Sequence, residues 1–163
     1  MNATLDARIA RCIEDELATL KQFLDVLQGE QHALTEGDVD RLMPLITDKT
    51  RLAGLLAQIT DQRGELLITA GLSPDRDGLE RWFDQYLPST ELAQSLRADW
   101  VNLLELAGKA RALNETNGNL IATRLQHNQQ ALNALLAAAN QAALYGPDGQ
   151  TRASPGGRLF GAA

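Results

Sequence analysis

The chain has 163 residues, a formal net charge of -6, 44% hydrophobic residues and only 4% aromatic ones. That length can bury a core without disulfides or metals, and a core of Leu and Ala in place of aromatics favours helices over strands. The acidic balance argues against nucleic acid or an anionic membrane as a partner, since both are drawn to a basic field.

From Leu5 the apolar residues recur at heptad-like spacing as Leu5, Ile9, Ile13, Leu17, Leu20, Leu24, Leu27 and Leu34, which predicts a helix over 3–34. Cys12, the single cysteine, sits in an apolar register of that helix and reads as a buried structural thiol. Gly37 and Asp38 then read as a C-cap glycine followed by an N-cap, so a tight helical hairpin is expected. The second helix, over 38–70, carries Leu42, Leu45, Leu52, Leu56, Ile59 and Leu66 along its seam. Pro44 requires it either to begin later or to kink. Lys49 and Arg63 fall in the same register. The expectation is that their aliphatic stems pack while the charges snorkel to water, with pairs to acidic residues of the first helix as the alternative. Gly71 closes the second helix, 72–78 reads as a loop, and 79–87 as a short helix. Its Trp82, Phe83 and Tyr86 are expected to form an aromatic plug with Trp100 at the bundle end.

The last helix, over 89–144, begins at a Ser89 or Thr90 cap. Its seam runs Leu92, Leu96, Leu103, Leu106, Ala110 and Leu113, passes Asn117, and resumes at Ile121, Leu125, Leu132, Leu135 and Ala139. The four-residue steps around Asn117 amount to a stutter, with Gly118 beside it. A helix of about 55 residues spans roughly 80 Å, against about 50 Å for each hairpin helix. The hairpin is therefore too short to cover it, unless the helix folds back at Gly118. Gly and Pro accumulate after Tyr145. The chain thus divides into a helical domain, 1–144, and a flexible tail, 145–163. The fold class expected is all-α: an elongated antiparallel helical bundle or coiled coil of three long helices and one short one.

Chemistry is hard to find. His32 and His127 are the only histidines, and neither has Glu or Asp three residues before it, as a di-iron bundle needs. There is no H-E-x-x-H, no C-x-x-C and no Gly-rich loop after a strand. Neither catalysis nor a metal nor a cofactor is expected, and both histidines read as solvent-facing. The absence of an apolar leader at the N-terminus, and of any stretch long enough to span a bilayer, leads to a cytoplasmic location without direct membrane insertion.

Charge is distributed unevenly. Residues 1–70 hold 7 Lys or Arg and 12 Asp or Glu, whereas 120–144 hold one charge, Arg124. A buried helix would account for that composition. An exposed docking face for a partner helix accounts also for its place at the end of the longest helix and for its Ala content. The residues expected on that face are Ile121, Leu125, Asn128, Leu132, Leu135, Leu136 and Ala139. Self-association of the free protein through the same stripe, as in a structural coiled-coil protein, is the competing account.

The stretch Asn114-Glu-Thr-Asn117-Gly118, the stretch Asn128-Gln-Gln-Ala-Leu132, and Leu144-Tyr145-Gly146-Pro-Asp-Gly149-Gln-Thr resemble, in this order and at these separations, the C-terminal half of the FlgN family of flagellar export chaperones. The resemblance implies a cytoplasmic chaperone that binds hook-associated proteins of the hook-filament junction. It would prevent their premature association and deliver them to the flagellar type III export gate. It assigns substrate binding to the stripe from Leu125 to Ala139, and docking to the gate's cytoplasmic domain to Leu144, Tyr145 and Gly146.

Overall fold

Two glycines and three capping side chains punctuate the chain into four helices. The computed structural model of the chain describes residues 3–86 and 90–144. It contains α1 (Ala3–Glu36), α2 (Val39–Thr69), α3 (Arg76–Tyr86) and α4 (Glu91–Leu144), with no strand among the described residues. The all-α expectation of three long helices and one short one holds.

α1 stops where Gly37 takes a φ of 77°, which only glycine adopts readily. The amides of Gly37 and Asp38 both return to the Ala33 carbonyl, at 2.9 and 3.0 Å. The Asp38 carboxylate then caps α2 by accepting from the Arg41 amide at 3.1 Å. α2 starts at Val39 and runs through Pro44 rather than beginning after it. The proline lies early in the helix, where only the Asp40 carbonyl loses its amide partner. α2 closes on Gly71, φ 78°, with the Leu72 amide on the Leu67 carbonyl and the Gly71 amide on that of Ile68, each at 2.9 Å. These two bonds make a Schellman end.

α3 begins three residues earlier than the 79 expected from the sequence. The signal lies in Ser73-Pro74-Asp75: the Asp75 carboxylate accepts from the Ser73 hydroxyl at 2.6 Å and from the Gly78 amide at 3.0 Å, capping a helix in a segment that reads as loop. Gly78, which reads as a loop glycine, belongs to the first turn, and a Cβ there would fall on the Ser73 carbonyl oxygen. At the start of α4 the cap is Thr90, whose hydroxyl accepts from the Ala93 amide at 3.3 Å; Ser89 lies outside the described residues. α4 continues as one helix through Gly118, without a fold-back.

The residues through Leu120 form one compact unit, and those from Ile121 a second. In the first, α1 and α2 are antiparallel, as the pairs Glu30–Lys49 and Glu16–Arg63 require. α4 runs beside α1 in the same direction, with Ala93 and Leu96 across a groove from Ala7 and Ala10 and Asn117 bonded to Leu27 and Glu30. Ile9, Ile13, Leu27, Leu67 and Leu79 are completely buried, each stabilising the unit by about 1.5–3 kcal/mol relative to exposure. Leu92, expected on the seam, is instead 77% exposed: it stands in the first turn of α4, at the edge of a groove that it lines together with Ala93 and the buried Leu96.

The aromatic plug forms as expected from Trp82, Phe83 and Trp100, all buried. The Trp82 and Phe83 rings lie 5.2 Å apart and tilted. Each indole finds an acceptor, Trp82 on Asp6 at 2.9 Å and Trp100 on Glu80 at 3.3 Å, as buried indoles require. The side chain of Tyr86 is outside what the structure describes. The snorkelling expected of Lys49 and Arg63 does not occur. Both turn inward onto acidic residues of α1, because Glu30 and Glu16 occupy buried positions whose charge must be matched.

Candidate functional site

On a helix of 3.6 residues per turn, positions 121, 125, 128, 132, 135, 136 and 139 fall within an arc of about 100°. α4 therefore gathers Ile121, Leu125, Asn128, Leu132, Leu135, Leu136 and Ala139 on one face. All seven are exposed, as is every described side chain from 121 to 142; Leu125 and Leu135 stand at 68% and 69% exposure. Within the second unit, none of the described side chains of α4 is buried. Large apolar side chains this exposed, contiguous along a helix, mark a surface built to be covered.

The chemistry of that face is apolar with neutral polar borders. Arg124 is the one charged residue from 121 to 144. Amides line one edge, where the Gln129 side-chain amide donates to Asn133 at 3.1 Å. Ala139 lies at the middle of the face and Ala131 borders it on the edge opposite the amides, where their small side chains leave room for another helix to approach. Such a face can bury a partner's apolar stripe at about 25 cal/mol per Å². It offers no nucleophile or acid–base pair.

Of the gate-docking residues expected from the sequence, Tyr145 and Gly146 lie outside the described residues, as does the flexible tail expected over 145–163, and of Leu144 only the helical backbone is described. His32 and His127 are exposed, as expected, and His32 lies 3.3 Å from Glu36 one turn on. Cys12 is buried; loss of hydration pushes its thiol above the ordinary range, with the Arg63 charge opposing.

The alternative the sequence offered for Lys49 and Arg63, pairs with acidic residues of the first helix, is the one that forms, in two polar layers whose other members the sequence reading did not name. In one, Glu16 accepts from Arg63 and Thr60, both at 3.0 Å, and the Arg63 guanidinium lies 5.1 Å from the Trp100 ring centre. In the other, both Glu30 oxygens accept from Lys49 at 3.1 Å, and Oε2 accepts also from the Asn117 amide at 2.8 Å. The signal was present: the α1 seam skips from Leu27 to Leu34, and Glu30 fills the gap.

No helix among the described residues is long and apolar enough to cross a membrane. The sequence model of the FlgN protein family matches residues 1–153. The chain is 31% identical to the Flagella synthesis protein FlgN of Yersinia enterocolitica (serotype O:8 / biotype 1B), over 94% of this chain and 97% of the relative. Against the protein of the same name in Salmonella typhimurium (strain LT2) it is 30% identical, over 90% of this chain and 92% of the relative. Against that of Escherichia coli (strain K12) it is 27% identical, over 88% and 90%. No solved structure matches the chain at a significant level. From a match that runs through all four helices and onto the Leu-Tyr-Gly element, the chain belongs to the FlgN family of flagella synthesis proteins.

Proposed function

We propose that the chain is a cytoplasmic flagellar export chaperone, which holds hook-associated proteins of the hook-filament junction through the exposed stripe of α4 and delivers them to the type III export gate. The observation that carries this reading is an apolar, nearly uncharged helical face left uncovered in a member of a family of flagella synthesis proteins. A junction protein's terminal segment, disordered before assembly, folds against Leu125, Leu132, Leu135 and Leu136 as a helix, and its ordering cost keeps the affinity moderate and release possible. Tyr145, beside the Gly-Pro-Asp-Gly stretch, supplies an aromatic anchor for the gate's cytoplasmic domain.

Sedimentation tests it. The free chain is expected as a monomer that forms a 1:1 complex with a junction protein, and Leu132→Asp with Leu135→Asp abolishes the complex while the helical signal and melting midpoint stay unchanged. Absence of a complex with every junction protein defeats the reading. A homodimer of the free chain, lost in the same double variant, supports instead a structural coiled-coil protein. Tyr145→Ala is expected to weaken binding to the gate domain and leave junction-protein binding intact; equal loss of both defeats the separation of roles.

A further inference from the structure

We propose that Asn117 sets the register of α4 against the α1–α2 hairpin, at the expense of stability. The hairpin needs no such device. Its two-residue connection, Gly37-Asp38, fixes α2 on α1, and the pairs Glu16–Arg63 and Glu30–Lys49 lie 14 residues apart on both helices, two heptads each. Slipping the hairpin by one heptad would strand both carboxylates.

α4 lacks that local constraint, because it joins the hairpin through α3 and two connections. Its buried side repeats with the heptad: Leu96, Leu103, Ala110 and Asn117 are spaced by seven, as are Leu106, Leu113 and Leu120. A slide of one heptad, about 10 Å, keeps Leu or Ala at the places of Leu103 and Leu113 in either direction, and at those of Leu96, Leu106, Ala110 and Leu120 in one direction each. These seam residues therefore discriminate only in part between registers, and Trp100 and Asn117 are the buried side chains of α4 that a slide would replace by an unlike residue in both directions.

Asn117 discriminates by hydrogen bonding. It is completely buried, and its Nδ2 donates to the Leu27 carbonyl at 2.9 Å and to Glu30 Oε2 at 2.8 Å. With Ala110 in its place, the buried Glu30 carboxylate keeps only Lys49, and the Leu27 carbonyl loses its side-chain donor and keeps only its helical one. With Arg124 in its place, a second cation enters beside Lys49. The asparagine does not optimise stability, because its own Oδ1 is buried without a hydrogen-bond partner among the described residues, a penalty that an apolar side chain would not carry. A polar residue that costs stability in every register but costs least in one specifies that register, as a single core Asn does in coiled coils.

The test attaches spin labels through Glu14→Cys on α1 and Arg111→Cys on α4, in a Cys12→Ala background of the full chain, and measures their separation by double electron–electron resonance. Both sites are exposed. With Asn117 present, one narrow distance distribution is expected. Asn117→Leu and the smaller Asn117→Val are expected to melt no lower than the parent and to show a second distance population from the slipped register. An unchanged single distance in both variants overturns the proposal, because Trp100 and the apolar seam would then suffice. So does a fall of more than about 5 °C in the melting midpoint of both, which would make Asn117 a stabilising residue instead.

Discussion

Glu16 and Arg63 each bring a full charge into the interior, with side chains 10% and 7% exposed. Burying either alone is costly, whereas removing both returns the site to ordinary packing. Arg63→Met is expected to destabilise the chain by about 3 kcal/mol, and Glu16→Leu combined with Arg63→Met to cost less than either single change; urea denaturation of the three variants measures the difference. The heptad reading put Arg63 and Lys49 on the seam but not their partners, because a period specifies which face a residue shares and not what stands opposite. Cys12 gives a prediction of the same scale. Its thiol is pushed up by burial, and only the thiolate is nucleophilic. A thiol-exchange reagent at pH 8 is therefore expected to react slowly with the folded chain and at once in denaturant. Because the unfolded thiol ionises first, the stability this group contributes is complete below about pH 8.5. It is lost as pH rises through the higher folded value.

Helix ends were largely legible because they rest on local chemistry: Gly37, Asp38, Gly71 and Thr90 stand where their conformations or hydrogen bonds require. The start of α3 was not, since its cap depends on Ser73 and Gly78 both folding back onto Asp75 across a proline. Hydrogen bonds from the Ser73 hydroxyl and the Gly78 amide hold the Asp75 carboxyl below the usual carboxylate range. What this cap contributes is complete above that range and is lost as pH falls through the lower folded value. Asp75→Ala is expected to fray α3 and lower the melting midpoint by a few degrees. Trp82 fluorescence should report the loss, and the gap between variant and parent should close in acid. On α4 both the seam and its change of role were legible: Leu103 and Leu132 look alike one by one, but the charge-poor stretch at the end of the longest helix led to an exposed face there, and Leu103 is buried and Leu132 exposed.

At the scale of the molecule, the net charge of -6 describes neither unit. Its acidity comes mainly from residues 1–70, with 12 acidic and 7 basic side chains, while residues 121–144 carry Arg124 alone. This division, visible in the sequence before any helix was placed, has a thermodynamic consequence for the proposed chaperone. A partner seated on the α4 face meets Arg124 alone as a charge, and charges farther apart than the Debye length of about 8 Å are screened at physiological salt. The Coulomb contribution to binding should then be small and the apolar contribution dominant, with a negative heat-capacity change as its mark. Calorimetric titration of a junction protein into the chain at low and high sodium chloride decides the matter. The dissociation constant is expected to change by less than about threefold between roughly 0.05 and 0.5 M salt, since no released counterions and few screened pairs enter the balance. A tenfold weakening would mean that the acidic surface of α1 and α2 takes part in recognition, and that the stripe is only part of the binding surface. Salt-independence would carry the argument further. Release at the gate could then come neither from ionic strength nor from charge competition, but only from a second partner that engages the same helix end more strongly.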